Sequence, residues 1–456
     1  MKKVSKEELI RKSKLPGLNA LKMHKFYQGK IQVMPRCQIS SFDDFSIWYT
    51  PGVAVPSREI YKNKEKAYEY TSKWNYVAIV SDGSRVLGLG NIGPEASLPV
   101  MEGKALLFKY LGGVDAFPLS IGTNDCCNAD QIVDFVKMIQ PTFGGINLED
   151  ISNPKCFTIL DSLRTDPEIK IPVWHDDQQG TACVVLSGLI NSLKIVGKKK
   201  KSAKIVFNGI GAANFGIYRL LKADGFNIKT SIFVDSKGIL YKDRSDLDCP
   251  NNYKCEIADI SNKEQMRGNC GNALEGADIL ISSSIPGPDV VKKEWISRMA
   301  NDAIVFALAN PIPEIFPWDA HEAGASIVAT GRSDFPNQVN NSLCFPGLFR
   351  GTLDVRANTI TDEMCIAASY ALANLVYEIE GCFVESCILP TMSYENVFIK
   401  EAVAAGLKAI EQNIAKEKFT EQELSDKAKK IIDDSQNQYK SLVKNGLIPK
   451  FTDYVK

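Results

Sequence analysis

The chain has 456 residues, too many for one ordinary hydrophobic core, and the usual domain-size range divides it into about two or three globular units. Hydrophobic residues at 45% and charged residues at 24% exclude a disordered or low-complexity chain. Lys+Arg and Asp+Glu balance at 54 each, so no global field recruits nucleic acid or an anionic membrane, and a small ligand held by local groups is expected.

The start, MKKVSKEELIRKSKLPGL, is basic but lacks the apolar stretch of a signal peptide, and no apolar run reaches the roughly eighteen residues of a membrane span. A cytoplasmic location is the expectation. The twelve cysteines include no CxxC pair and no zinc-type spacing, so reduced thiols, mostly buried, are expected. Three histidines are too few for a His-rich metal site, so the acid and base of any reaction are sought elsewhere.

Along the chain, polar helix-like stretches with Pro and Gly lead to an aromatic loop, Trp48-Tyr49-Thr50-Pro51-Gly52. A short buried strand is predicted over 76–80, then a glycine-rich loop and a helix over 97–110. Short apolar runs at 116–121, 145–148 and 170–174 alternate with helix patterns at 130–138 and 156–164, which predicts a mostly parallel sheet. A long helix is predicted from Asp177, closed by the lysine run 198–201 as a solvated turn. Strands at 204–207, 231–234, 279–282, 303–307 and 326–329, with a helix over 213–222, have the rhythm of a doubly wound nucleotide-binding domain. The tail turns helical and charged. The expected α/β organisation is therefore an N-terminal catalytic domain over 1–175, a Rossmann-like domain over 176–365, and a helical segment over 366–456 that packs back on the body.

Two loops compete for the dinucleotide. Gly88-Leu-Gly90-Asn-Ile-Gly93 matches the literal fingerprint, but it follows a very short apolar run, is trailed by Pro94, and lacks an acid at the end of a second strand. The later segment KIVFNGIGAANFGIYRLL has a clean strand, a loop opening a helix, and then SIFVD ending in Asp235. The loop of Gly209, Ile210, Gly211, Ala212, Ala213 and Asn214 is accordingly the expected cofactor-binding segment, with Asp235 and Ser236 at the next strand end. Asn214 stands where a small residue is usual and is expected to loosen the contact between helix and strand. Asp235 would accept hydrogen bonds from a ribose, favouring NAD, whereas Lys237, Lys242 and Arg244 would neutralise the 2′-phosphate of NADP. The residues leave that choice open.

Glu149-Asp150 and Asp176-Asp177 each close a predicted strand, on the rim where open α/β sheets bind ligands. Oxygen donors without Cys or His suit Mg²⁺ or Mn²⁺ rather than Zn²⁺, although acids at such positions also cap helices. Spacing alone allows both.

Seven segments occur in order: YTPGVA, SDGSRVLGLGNIGP, VMEGKALLFK, INLEDIS, HDDQQGTA, FALANP and NNSLCFPGLFRG. Together they resemble malic enzyme, in its shorter bacterial and archaeal type. Only 105 residues follow the last motif, so the fused phosphotransacetylase-like domain of some relatives is not expected here. The resemblance implies oxidative decarboxylation of L-malate to pyruvate and CO₂ with NAD or NADP, and a homodimer or higher homo-oligomer. It also implies Glu149, Asp150 and Asp177 as metal ligands, Lys104 as general base, Tyr49 as general acid and Asp176 as the acid accompanying the lysine. Arg85, Asn310, Asn340 and Asn341 correspond to groups that hold the substrate carboxylates, with Asn310 also near the cofactor.

Such a lysine must be neutral to act as a base, and burial beside a cation is expected to lower its pKa from about 10.4. The other enzyme reading is a metal-dependent oxaloacetate decarboxylase with the dinucleotide as a minor ligand. A noncatalytic nucleotide sensor would have no use for Lys104, Tyr49 and four acids together.

Overall fold

The computed structural model describes residues 6–122, 127–249, 252–332, 334–381 and 383–455. Among the described residues ten strands form two sheets. The first is a four-stranded, all-parallel sheet in the order β2-β1-β3-β4, comprising β1 (Tyr76–Ser81), β2 (Asp115–Ser120), β3 (Gly145–Leu148) and β4 (Val173–His175). The second runs β10-β9-β8-β5-β6-β7, from β5 (Ile205–Asn208), β6 (Ile232–Asp235), β7 (Gly238–Ile239), β8 (Ile279–Ser282), β9 (Ala303–Ala307) and β10 (Ala325–Thr330). All its pairs are parallel except β6 with the two-residue β7.

Parallel strands are joined by crossover helices that cover both faces, so they are buried on each side and read as continuous apolar runs. Val77, Ala78, Ile79 and Val80 of β1 are all inaccessible. In the second sheet, alternate side chains feed different cores: Ile205 and Phe207 join the main cluster shared with the first sheet, while Val206 joins a smaller one with Val234, Leu280 and Val305. One continuous core therefore spans both sheets and fixes the cleft between them.

The Pro94–Gly112 helix begins with Pro at its first turn and stops at Gly113, whose φ of 63° suits glycine. The predicted helix from Asp177 opens instead as a wide π turn, Asp176–Gly180, before the regular helix Thr181–Val196. Asp176–Val196 is long and apolar enough to cross a membrane, but 78% of its most apolar window is buried in the core. The late helices pack back on the body: Ser435 and Gln436 of Glu421–Lys444 donate to the carbonyls of Lys109 and Tyr110. Buried Arg350 donates to Asp354 and, at 2.6 Å, to Asn75 Oδ1, tying the Phe345–Asp354 helix to the approach of β1.

The expectation of reduced cysteines needs one correction. Cys249 and Cys255 form a disulfide with Cα atoms 5.9 Å apart. Their separation in sequence is 6, and Cys255 lies on the Tyr253–Ile260 helix.

Candidate active site

Ligands in open parallel sheets settle where the strand order reverses, because the loops on either side of that point diverge and leave a crevice. Both sheets have such a point. In the first it lies between β1 and β3, with the Arg85 loop after one and Glu149-Asp150 after the other; in the second it lies between β5 and β8, with the glycine loop and Ser283-Ser284. The two crevices open on one cavity of about 510 Å³.

Its wall includes Arg85, Lys104, Glu149, Asp150, Asp177, Asn310, Asn340 and Asn341 of the first expected set, and Gly211, Ala212 and Ala213 of the glycine loop. Segments more than 200 residues apart in sequence thus meet. Gly209, Ile210, Asn214, Asp235 and Ser236 are not on that wall. Gly88, of the earlier glycine loop, is on the rim, where an added Cβ would stand 2.5 Å from the Asn310 carbonyl.

Lys104 is the hub. The helix Pro94–Gly112 buries it to 6% exposure, its ammonium donates to Glu149 Oε2 at 2.7 Å and to Asp176 Oδ2, and it lies 4.4 Å from the centroid of the Phe345 ring. Trp174 Nε1 holds the other Asp176 oxygen at 3.0 Å. Burial pushes the Lys104 pKa down, but the charges of Asp176 and Glu149 outweigh it and the net direction is up. Two carboxylates in contact stabilise the ammonium more than burial opposes it, and a cation held by the same acids would act in the opposite sense.

The acids press on each other. Burial first, then Asp176, Asp177 and Asp150, raise Glu149 well above the carboxylate range despite Lys104; burial and then Asp177 raise Asp150 to about 8; burial also raises Asp177. Asp150 sits at φ 53°, a left-handed conformation that is strained for a side-chain-bearing residue. It is held there by the Arg85 N–H on its carbonyl at 3.0 Å and by its own N–H donating to Asp177 Oδ2 at 2.9 Å.

Asp150 Oδ2 is buried with no partner, and the donor set is carboxylate oxygen throughout, so these residues fit a hard divalent cation. Among the described residues no three such side chains converge as a ready-made coordination sphere. Lys104 engages Glu149 and the Asp150 main chain engages Asp177, which offsets part of the repulsion among the acids. His175, fully buried behind Asp177, is held neutral; burial drives its pKa down to about 3.

The glycine loop departs from expectation in one respect. Asn214 does not loosen it. Its Nδ2 donates to the carbonyls of Asn208 at 3.0 Å and Gly209 at 2.8 Å, bracing the turn internally. Gly209 takes φ 93° and packs on Ser283, where a Cβ would be 2.3 Å from the carbonyl oxygen, so only glycine fits. Asp235 is not a free acceptor: Arg244 grips both its oxygens at 2.7 and 3.0 Å and Lys254 adds a third contact at 2.6 Å, which holds its pKa at about 2 against the opposing effect of burial.

Tyr49 is the outlier. It is 72% exposed and absent from the cavity wall. Sequence reasoning also missed Ile151, Asn153, Thr181, Ser283, Ser284 and Phe345, all on that wall. The serines follow a strand end in a doubly wound pattern and were findable on that ground; Phe345 lies within the segment NNSLCFPGLFRG, which could have marked it.

Residues 28–164 match the model of the malic enzyme N-terminal domain, and residues 178–406 that of the malic enzyme NAD binding domain. The chain belongs to the malic enzyme family. It is accordingly an oxidoreductase carrying that family's dinucleotide-binding domain. The bifunctional malic/malolactic enzyme of Bacillus subtilis is 47% identical over 412 residues, 90% of this chain and 97% of that protein. The NADP-dependent malic enzyme of Escherichia coli is 41% identical, and its match covers 87% of this chain but 53% of that protein. Among solved structures, Entamoeba histolytica malic enzyme superposes with a TM-score of 0.93 at 45% identity, covering 99% of this chain and 93% of that one. The enzyme from Pyrococcus horikoshii gives 0.87 at 48% identity, covering 94% and 98%.

Proposed function

We propose that the protein oxidatively decarboxylates L-malate to pyruvate and CO₂, with NAD or NADP as hydride acceptor and Mg²⁺ or Mn²⁺ held by Glu149, Asp150 and Asp177. The observation that carries this reading is the position of Lys104, in contact with Glu149 and Asp176 on the wall of a cavity whose other side is the glycine loop.

Arg85, Asn310, Asn340 and Asn341 surround the space beside Lys104 and suit the two carboxylates of the substrate, Arg85 by a bidentate pair. Lys104, in its neutral form, takes the hydroxyl proton as hydride leaves C2, and Asp176, in contact with it, orients it; positive charge of a cation on Glu149, Asp150 and Asp177 would counter the stabilisation of the ammonium by these acids and so favour the neutral lysine. A divalent cation on Glu149, Asp150 and Asp177 would supply positive charge that lowers the hydroxyl pKa and offsets the negative charge that develops on loss of CO₂. Main-chain N–H groups at the Gly211 end of the Ala212–Ala223 helix face the cavity and suit the pyrophosphate.

Protonation of the enolate at C3 falls to a phenol, and we assign it to the partner's Tyr49 in a homodimer. Two observations support that assignment. Tyr49 lies outside its own cavity, and no residue from Lys14 to Trp74 is buried, although this arm carries Val33, Phe42, Ile47, Trp48 and Tyr61. An arm with exposed apolar side chains and no buried residue of its own suits burial against a second copy.

The test is a spectrophotometric assay of the full chain with malate, NAD and NADP in parallel, each with and without Mn²⁺. Reduced cofactor should form only with the metal. Its absence in all four arms overturns the proposal, and rapid oxaloacetate loss without dinucleotide, with no malate oxidation, establishes the decarboxylase instead.

A further inference from the structure

Glu314 is fully buried behind the cavity wall and has no part in the chemical steps of the proposed reaction. Its two oxygens serve two different loops. Oε1 accepts from the main-chain N–H of Ser284 at 2.8 Å and from its hydroxyl at 3.1 Å, and Oε2 accepts from the N–H of Ala309 at 3.0 Å. Both loops contribute to the wall, and they leave the neighbouring parallel strands β8 and β9.

The first loop belongs to the dinucleotide side. Ser283 N–H donates to the Asn208 carbonyl at 2.9 Å, Asn208 Nδ2 donates to Ser284 Oγ at 3.3 Å, and Gly209 of the glycine loop packs on the Ser283 carbonyl. The second loop belongs to the substrate side. Asn310 follows Ala309 directly and is boxed in by two glycines: a Cβ at Gly331 would stand 2.8 Å from Asn310 Nδ2, and one at Gly88 2.5 Å from its carbonyl oxygen. The main chain extends the link between the loops, with Gly287 N–H donating to the Ile312 carbonyl at 3.3 Å and Val291 N–H to that of Glu314 at 3.0 Å. A carboxylate is costlier to bury than an amide, and burial raises the Glu314 pKa against the opposing effect of its N–H donors. Its advantage is an acceptor oxygen for each loop; glutamine turns an NH₂ toward one loop and satisfies only the other.

We propose that Glu314 is a positioning residue that couples the two ligands: it fixes the Ser283-Ser284 loop against Ala309-Asn310, so that a dinucleotide seated on the first sets the second for a malate carboxylate. The proposal rests on the catalytic reading. By linkage, malate then tightens the dinucleotide by the same factor.

The test uses NADH or NADPH, whichever the wild type binds, titrated by its fluorescence into the full chain with Mn²⁺, with and without saturating L-malate. Reduced dinucleotide and malate cannot turn over. In the wild type malate should tighten the reduced dinucleotide at least about fivefold, and in Glu314→Gln the two titrations should agree within about twofold. In steady state the malate KM of Glu314→Gln should rise at least about fivefold with kcat kept within about twofold. Asn191→Ala is the control for stability: its Nδ2 ties the Thr181–Val196 helix to the carbonyls of Ala373 and Ile388 at 2.8 and 2.9 Å, not to either loop. It should lower the melting temperature and keep the wild-type coupling. Ser284→Ala, which removes only the hydroxyl donor, should cut the coupling factor by about half and carries the test if Glu314→Gln does not fold. Coupling kept in Glu314→Gln or unchanged in Ser284→Ala, coupling lost equally in Asn191→Ala, or a wild type that binds both ligands without coupling overturns the proposal and leaves the catalytic reading standing. A wild type that neither binds reduced dinucleotide nor oxidises malate overturns the catalytic reading, and this proposal with it.

Discussion

Asn214 donates its side-chain amide to the carbonyl of Gly209 at 2.8 Å, so the residue that departs from the usual small third position of the loop is the one that braces it. Ala at this position takes a donor from the half-buried Gly209 carbonyl and leaves the Asn208 carbonyl with the Ser283 N–H alone. Asn214→Ala should lose about 1–3 kcal/mol of stability in urea denaturation and bind dinucleotide more weakly by fluorescence titration. A variant of unchanged stability and affinity would show that the amide is dispensable.

Asp177→Asn separates the two roles of the acid cluster. Four carboxyl groups share the site with a single lysine; burial raises Glu149, Asp150 and Asp177, and repulsion from neighbouring acids adds to it at Glu149 and Asp150. Removing one charge should raise the melting temperature of the metal-free protein and weaken Mn²⁺ binding at least about tenfold. A lower melting temperature with full Mn²⁺ affinity contradicts both halves.

Lys104→Ala should lower malate oxidation by about 10²–10⁴-fold or more, the range for loss of a general base, with dinucleotide affinity nearly unchanged. Combined with Tyr49→Phe it also tests exchange between subunits. A heterodimer of the two variants has one intact site only if the tyrosine acts across the interface. Mixing the two inactive proteins under conditions of subunit exchange should then restore about a quarter of wild-type activity, the result of random pairing with one good site in each heterodimer. No recovery, with heterodimers verified by mass, would return Tyr49 to its own chain or remove it from the reaction.

His175 is buried and neutral in the fold, with its pKa lowered by burial to about 3, against 6.5 for the free side chain. Between those values the unfolded chain binds a proton that the folded chain does not, so stability rises with pH across this window and is lost as pH falls below 6.5. From pH 6.5 to pH 5 this one residue should remove about 2 kcal/mol. His175→Gln should flatten that part of the curve in urea titrations of the metal-free protein, and an equally steep loss in the variant would assign the effect to other groups.

How much of this was legible in sequence differs by kind of feature. The strand over 76–80, the strands at 279–282 and 303–307 and the helix over 213–222 were readable because parallel strands are buried on both faces and the helix between them has its own period. Those strand ends also located Glu149, Asp150, Asp176 and Asp177 on a rim. Short-range readings failed where a side chain's partner was distant or unusual. Asn214 resembled a loosened helix contact until its acceptors proved to be the loop's own carbonyls. Asp235 resembled a free ribose acceptor until Arg244 and Lys254 closed on it.

The sequence by itself determined the α/β class, the alternation that makes two parallel sheets, and the chemical types gathered at their strand ends, because those depend on periodicity and on motifs within one or two turns. Only the tertiary structure decided that two reversal points open on one cavity, that Lys104 stands between Glu149 and Asp176, and that Tyr49 stands apart. The reason is physical: contact between segments more than a hundred residues apart follows from how two sheets share a core, and the ionisation of each buried acid follows from which other charges that core brings beside it.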